Sequence, residues 1–95
     1  MGTYVLLSKL PPNLTQGGGA LRKATDAVRA RIKEAVPGVK WHISLAVFGR
    51  YDVLDIFDAP DAVSAARIAT IIRDAGGTTE TWTAVPFEDL LRMTD

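Results

Sequence analysis

The chain has 95 residues, near the commonest size of one globular domain, so we predict a single domain over residues 1–95. Its 11 basic and 11 acidic side chains cancel and no Lys/Arg run is present, which argues against nucleic acid as a partner. The absence of cysteine excludes disulfides and thiolate chemistry, and no apolar run approaches the ~20 residues of a membrane span. We therefore expect a cytoplasmic protein without a membrane partner.

The chain opens with a short apolar run, Tyr4 to Leu10, whose aromatic and β-branched start is typical of a strand. Pro11-Pro12-Asn13 ends this strand, and Leu14 to Gly19 is predicted as a loop because three consecutive glycines disfavour a helix. Gly17-Gly18-Gly19 lacks both the Gly-Lys-Ser/Thr ending of a P-loop and the spaced glycines of a dinucleotide site. We interpret this segment as a flexible loop rather than a phosphate-binding loop.

Apolar residues recur at helical spacing from Ala20 to Val36, with charged residues between them, which predicts the first helix. Pro37-Gly38 ends it. The next segment, Trp41 to Asp61, is predicted to form two strands joined at Gly49-Arg50, where Gly49 would supply the positive φ of a two-residue type II′ turn. A four-residue loop around the same centre would keep the same parity of pairing. The expected cross-strand pairs are Val47–Asp52, Ala46–Val53, Leu45–Leu54, Ser44–Asp55, Ile43–Ile56 and His42–Phe57.

Because side chains alternate along a strand, these pairs divide into two faces. One face is almost wholly aliphatic, has Asp52 at its margin, and is expected to lie against the helices: Trp41, Ile43, Leu45, Val47, Leu54 and Ile56. The other face mixes aromatic residues with a histidine, a serine and a carboxylate, and is expected to line a partly wet cavity on the helix-free side: His42, Ser44, Ala46, Phe48, Tyr51, Val53, Asp55 and Phe57.

A second, alanine-rich helix is predicted from Asp61 to Ala75, followed by a fourth strand from Thr78 to Val85 and a short final helix after Pro86. The order β-α-β-β-α-β plus a short C-terminal helix is the ferredoxin-like arrangement, an α+β fold with a four-stranded antiparallel sheet. Both main helices of that fold cover one face of the sheet. The other face would expose apolar side chains, which is typical of an interface or a ligand site.

Several short motifs resemble the GYD domain family, and together they span nearly the whole chain: Thr3-Tyr4, Gly49-Arg50-Tyr51-Asp52, Phe57-Asp58-Ala59-Pro60-Asp61, Thr79-Glu80-Thr81 and Phe87-Glu88-Asp89-Leu90. The resemblance implies a ferredoxin-like protomer that pairs its bare sheet face with a second copy as a dimeric α+β barrel. It assigns no general activity, since the wider superfamily includes cofactor-free cyclases, isomerases, monooxygenases and ligand-binding regulatory domains. Asp55 departs from the small or apolar residue expected at its strand position.

Gly49, Tyr51 and Asp52 are interpreted as the structural motif of the turn. Asp52 is predicted to accept backbone N–H groups near the Gly17–Ala20 loop, at the start of the first helix, and not to be catalytic. His42 is the only histidine, so a pair of histidine metal ligands is impossible, and we predict no metal and no cofactor.

Because histidine titrates near neutral pH, His42 is the best general base that the chain offers, with Asp55 and Tyr51 as the other candidates for proton transfer. A structural role stays open for each: an edge position at a barrel mouth for His42, an ion pair across the dimer for Asp55, and packing for Tyr51. The residues predicted to contact a ligand are Ser44, Phe48, Val53 and Phe57.

Three functions follow from these residues. The first is a homodimer or higher homo-oligomer that binds a small, largely apolar molecule in the cavity on the helix-free face. The second is a cofactor-independent enzyme that moves a proton in a cyclisation or isomerisation. The third is a structural assembly module whose barrel is filled by its own side chains.

Overall fold

The computed structural model describes all residues, 1–95, and its strands and helices follow the predicted order. A 3₁₀ turn, Pro12–Thr15, which the sequence did not predict, precedes the glycine loop. The elements are β1 (Gly2–Lys9), α1 (Ala20–Ala35), β2 (Lys40–Ala46), β3 (Val53–Ala59), α2 (Ala62–Asp74), β4 (Thr78–Ala84) and α3 (Phe87–Thr94).

The four strands form one antiparallel sheet in the order β2-β3-β1-β4, which confirms the predicted ferredoxin-like α+β fold. α1 and α2 lie on the same face of this sheet, where their apolar side chains meet those of the two central strands. The core between them consists of Tyr4, Leu6, Ile32, Val36, Phe57, Ala59, Ala65, Ile68 and Ile71.

The two main helices begin differently. α2 has Asp61 as its N-cap, and the carboxylate accepts the backbone N–H of Ser64 at 2.8 Å. α1 has no side-chain cap, because Gly19 precedes it in the left-handed conformation.

The hairpin between β2 and β3 has the predicted pairing but a different turn. Ile43 to Ala46 pair with Ile56 to Val53 as expected, and the backbone N–H of Val47 donates to the C=O of Asp52 at 2.9 Å. The loop between Val47 and Asp52 therefore has four residues. Gly49 does not adopt a positive φ, so the predicted type II′ turn is wrong. A four-residue loop reverses the chain direction over more residues than a two-residue turn does, so Gly49 does not need a positive φ.

The structure reverses the predicted faces for the paired residues of the hairpin from Ile43 to Phe57, whereas Trp41, His42 and Tyr51 lie on their predicted sides. Asp55 and Phe57 are buried on the face that the helices cover. Ile43 and Leu45, predicted to lie beneath the helices, are 42% and 45% exposed on the helix-free face. Phe57 is held in the core by stacking on Tyr4 and on Trp41, with ring centroids 5.9 Å and 4.8 Å away. The aliphatic side chains are left on the outside.

A bulge in β2 also separates His42 from its predicted neighbours. Phe57 is opposite Trp41 and not His42, and the register shifts between Trp41 and Ile43. His42 is the extra residue, and its ring reaches Asp58 on the helix-free side. The predicted His42–Phe57 pair is therefore wrong, and so is the placement of Trp41 with Ile43.

α3 does not pack against any other helix or strand of the chain. Its apolar side chains are exposed, namely Phe87, Leu90, Leu91 and Met93. The fold is elongated as a result, with a longest dimension of 53 Å. No helix has the length and apolar character needed to cross a membrane.

Candidate functional site

A cleft of about 300 Å³ opens between α1 and the part of the sheet formed by β2, β3 and the end of β1. Its walls are mostly apolar and include Leu21 and Val28 from α1 and Ile72 from α2. Small residues line both sides of the cleft. Ala24 lies on the helix, while Ala46 lies on the sheet. Side chains of this size cannot fill the space between the two layers.

The only two buried polar residues of the chain, Ser8 and Asp55, both line this cleft. Ser8 is 4% exposed and Asp55 is 7% exposed. Ser8 lies opposite Val53 and Asp55 lies opposite Leu6, so the two are diagonal neighbours on adjacent strands. They form the polar floor of an otherwise apolar cleft, a combination typical of small-molecule sites.

One oxygen of Asp55 is well satisfied within the chain. Ser44 donates its hydroxyl to Asp55 Oδ1 at 2.6 Å, and the indole N–H of Trp41 points at the same oxygen at 3.3 Å. The indole is shared, since its Nε1 is also 2.9 Å from Ser44 Oγ. The other oxygen, Oδ2, makes no hydrogen bond within the chain and is not sealed from the cleft.

Burial raises the pKa of Asp55 above the ordinary carboxyl value. The hydrogen bonds from Ser44 and Trp41 and the positive charge of Arg29 act in the opposite direction, but they do not cancel the effect of burial. A carboxyl group in this setting can serve as an acceptor for a ligand or as a site of proton exchange.

The predicted cluster of His42, Ser44 and Asp55 is not present. Ser44 and Asp55 are in contact as expected, but His42 lies on the other side of the sheet, with Nε2 3.0 Å from Asp58 Oδ2. Thr3 donates to Asp58 Oδ1 at 2.6 Å, and the hydrogen bonds from Thr3 and His42 lower the pKa of Asp58. The bulge explains this outcome, because one extra residue turns a side chain to the opposite face. His42 and Asp55 therefore cannot act together in one site.

Tyr51 also lies away from Asp55. Its hydroxyl donates to Glu80 Oε1 at 3.1 Å, and Trp82 donates its indole N–H to Glu80 Oε2 at 2.6 Å on the helix-free face. Burial and the Glu80 carboxylate raise the pKa of Tyr51. Phe48 projects from the turn and is 99% exposed. These aromatic residues belong to the helix-free surface and not to the cleft.

Of the four predicted ligand contacts, Ser44 and Val53 line the cleft, although the cleft is on the helix-covered side. Phe57 is fully buried in the core instead. The prediction missed Ser8 and the orienting role of Trp41. A signal for Ser8 was present, because alternation places it on the same face of β1 as Tyr4 and Leu6.

Asp52 has the predicted kind of hydrogen bond but with a different partner. Its Oδ2 accepts the backbone N–H of Leu10 at 2.8 Å, and its own N–H donates to the C=O of Ser8 at 2.9 Å. The expected contact near the Gly17–Ala20 loop is wrong, since Asp52 lies at the end of β1 and ties the hairpin turn to that strand. Across the whole chain, no three His, Asp or Glu side chains gather closely enough to hold a metal ion.

A four-stranded antiparallel sheet with two helices on one face and a further C-terminal helix places the protein in the ferredoxin-like α+β class. Within this class the sequence model of the GYD domain matches residues 4–94. The chain therefore belongs to the GYD domain family, as its motifs predicted. No curated protein matches the sequence.

Solved structures support the fold. The crystal structure of FFRP-DM1 is similar with a TM-score of 0.60 and 20% identity, covering 90% of this chain and 100% of that one. The de novo designed protein Foldit4 has a TM-score of 0.51 and 14% identity, with 88% and 94% covered. A Caulobacter crescentus CB15 protein named for antibiotic biosynthesis monooxygenases has a TM-score of 0.50 and 16% identity, with 90% and 92% covered. At these identities the likeness establishes the fold alone.

Proposed function

We propose that this protein binds a small, largely apolar molecule in the cleft beneath α1, as a sensor or carrier of that molecule. The observation that supports the proposal is the cleft itself: about 300 Å³, mostly apolar walls, and a floor that contains both buried polar residues of the chain. Pockets of this size and character are the usual sites of small-molecule binding. The site differs from the sequence-based prediction, which placed the cavity on the helix-free face.

The proposal includes a cytoplasmic homodimer or larger homo-oligomer that forms an α+β barrel. Ile43, Leu45 and Trp82 are 42%, 45% and 50% exposed on the helix-free face. Apolar surface of this kind favours a protein partner. α3 also leaves its apolar side chains without a contact in its own chain. A second copy of the chain would cover the helix-free face and the apolar side chains of α3, as in an isologous interface. The lack of cysteine supports the cytoplasmic location.

The proposal is tested with N-phenyl-1-naphthylamine, an uncharged apolar probe whose fluorescence rises when it leaves water. We expect saturable binding to the parent protein and none to Ala24→Phe, because Ala24 lines the cleft. The matched control is Ala27→Phe, which adds the same side chain at an exposed position of α1 outside the cleft. Equal binding by both variants would place the probe elsewhere and contradict the proposal.

Native mass spectrometry of the purified protein supplies a second readout. It reports the oligomer mass and the mass of any molecule carried through purification in one spectrum. An oligomer that carries no ligand and binds no apolar probe would favour a structural assembly module instead.

Asp55 favours a second candidate, a cofactor-independent enzyme that moves a proton on an apolar substrate. The carboxyl group combines a raised pKa with an oxygen open to the cleft, which suits a general acid or base. His42 and Tyr51 lie outside this cleft, so Asp55 would act without them. Chemical change of a bound compound that stops in Asp55→Asn, while binding persists, would select this candidate over the carrier.

A further inference from the structure

We propose that the molecule bound in the cleft carries a hydroxyl group, as an alcohol or a phenol, which hydrogen-bonds to Ser8 and Asp55 together. The proposal rests on the function proposed above and names the class of its ligand. It starts from the polar floor of the cleft, where two deeply buried side chains keep unused hydrogen-bonding capacity.

Both side chains face the cleft with an open polar atom. Ser8 Oγ makes no hydrogen bond within the chain although the residue is 4% exposed, and it is not sealed from the cleft. Asp55 Oδ2 likewise makes no hydrogen bond within the chain and is open to the cleft, since Ser44 and Trp41 both contact Oδ1. A ligand can therefore replace water at both atoms, and the apolar walls of the cleft strengthen the hydrogen bonds that it makes there.

The two atoms are close enough for one ligand oxygen to reach both. Ser8 and Asp55 are diagonal neighbours on one face of β1 and β3, a relationship in which the Cβ atoms lie roughly 7 Å apart. The hydroxyl of serine and the carboxylate of aspartate each extend toward the ligand from there. A single oxygen between them can make two hydrogen bonds of ordinary length.

The donor and acceptor pattern selects a hydroxyl among the small polar groups. An ionised Asp55 can only accept, whereas the Ser8 hydroxyl can donate. A ligand hydroxyl donates to Asp55 Oδ2 and accepts from Ser8. An ether or ketone has no proton for an ionised Asp55, and an ammonium group would add a second positive charge to a cleft that Arg29 already lines. A ligand carboxylate would meet the like charge of Asp55.

The test compares three probes of one shape: 2-naphthol, 2-methoxynaphthalene and naphthalene. At neutral pH we expect the parent protein to bind 2-naphthol about tenfold more tightly than the other two, the size of effect that a hydrogen bond to a charged group gives. Ser8→Ala and Asp55→Asn should each remove most of that preference while naphthalene binding stays the same. Asp58→Asn, on the helix-free face, is the control and should keep the full preference.

The outcomes separate this inference from the function on which it rests. Equal affinity for the three probes, or tighter binding of 2-methoxynaphthalene, would overturn the hydroxyl assignment and leave the apolar site standing. Failure of all three probes and of N-phenyl-1-naphthylamine would overturn both. If Asp55→Asn does not fold, Ser8→Ala still tests the preference for 2-naphthol. Amide NMR of the parent protein gives a further test, in which 2-naphthol must shift the signals of Ser8 and Asp55 more than naphthalene does.

Discussion

Trp41 lies directly opposite Phe57 across β2 and β3, and their rings stack with centroids 4.8 Å apart and planes inclined by 12°. Phe57 also stacks on Tyr4 of β1, so three aromatic rings form a row across three adjacent strands. The edge of the same indole reaches Ser44 and Asp55 with its N–H. Trp41 therefore couples the packing of the core to the orientation of the cleft floor.

Substitutions of Trp41 should separate these two roles. Trp41→Phe keeps an aromatic ring on Phe57 but removes the N–H, so we expect a loss of about 1 kcal/mol in the free energy of unfolding. Trp41→Ala also removes the stacking and leaves a cavity, so we expect a loss of about 3 kcal/mol. Denaturant unfolding measures both. Equal losses in the two variants would show that the ring itself contributes little.

Asp55 should make stability depend on pH in a direction unusual for a carboxyl group. Its pKa is raised in the folded state, so the folded protein binds the proton more tightly than the unfolded chain does. The stability that comes from this group is present below the ordinary carboxyl pKa and is lost as the pH rises through the raised value. Asp58 and Asp61, whose pKa values are lowered, act in the opposite direction.

Asp55→Asn isolates this effect, because the amide oxygen still accepts from Ser44 and Trp41 but the side chain cannot ionise. We predict that the stability of the variant relative to the parent rises with pH across that window and then levels off. Denaturant unfolding at a series of pH values gives the difference directly, and the contributions of Asp58 and Asp61 cancel in it. Asp26→Asn, at an exposed position of α1, is the control. A difference independent of pH would refute the prediction.

Asp52 should stabilise the hairpin turn through its contact with β1. Asp52→Ala leaves the Leu10 N–H without its acceptor, and we expect a loss of about 1–2 kcal/mol in the free energy of unfolding. Asp52→Asn should cost less, since its amide oxygen can accept the same hydrogen bond. Asp52 also lines the cleft, so binding of the apolar probe is measured in both variants beside their stability. Unchanged stability together with lost binding would instead assign Asp52 to the ligand site.

The helix-free face should hold the proposed oligomer together. We expect light scattering of the parent protein at micromolar concentration to show no appreciable monomer. Ile43→Glu places a charge among the apolar side chains of this face and should shift the protein toward monomer. Val63→Glu adds the same charge at an exposed apolar position of α2 and should leave the mass unchanged. A monomeric parent protein would contradict the oligomer.

The hairpin pairing could be predicted from the sequence because a turn centred on Gly49-Arg50 fixes which residues of the two strands lie opposite each other. Ser44 and Asp55 are paired in the structure as that rule requires, and so are Ile43 and Ile56. Alternation does not say which face the helices cover when both faces carry apolar residues. Here Asp55 and Phe57 are covered while Ile43 and Leu45 are open, which reverses their predicted environments. Trp41, His42 and Tyr51 lie on the sides that were predicted for them.

The site could be predicted only in part, for two physical reasons. The bulge that moves His42 away from Asp55 leaves no recognisable mark in the residues around it, yet it changes the partner of the only histidine. The cleft depends on how closely α1 approaches the sheet. That distance follows from the packing of small side chains on two separate elements, Ala24 and Ala46 among them, and not from a local pattern.

The glycine loop before α1, Gly17 to Gly19, has positive φ angles, which are the mirror image of those that L-amino acids prefer. Gly17, Gly18 and Gly19 have φ values of 91°, 73° and 77°, and all three are exposed. An L-alanine side chain would find open space at each position and would still be strained by the φ angle. D-alanine favours these angles and restricts the unfolded chain more than glycine does. In a chemically synthesised protein, D-alanine at these positions would restrict the backbone that leads into α1 more than any natural amino acid does.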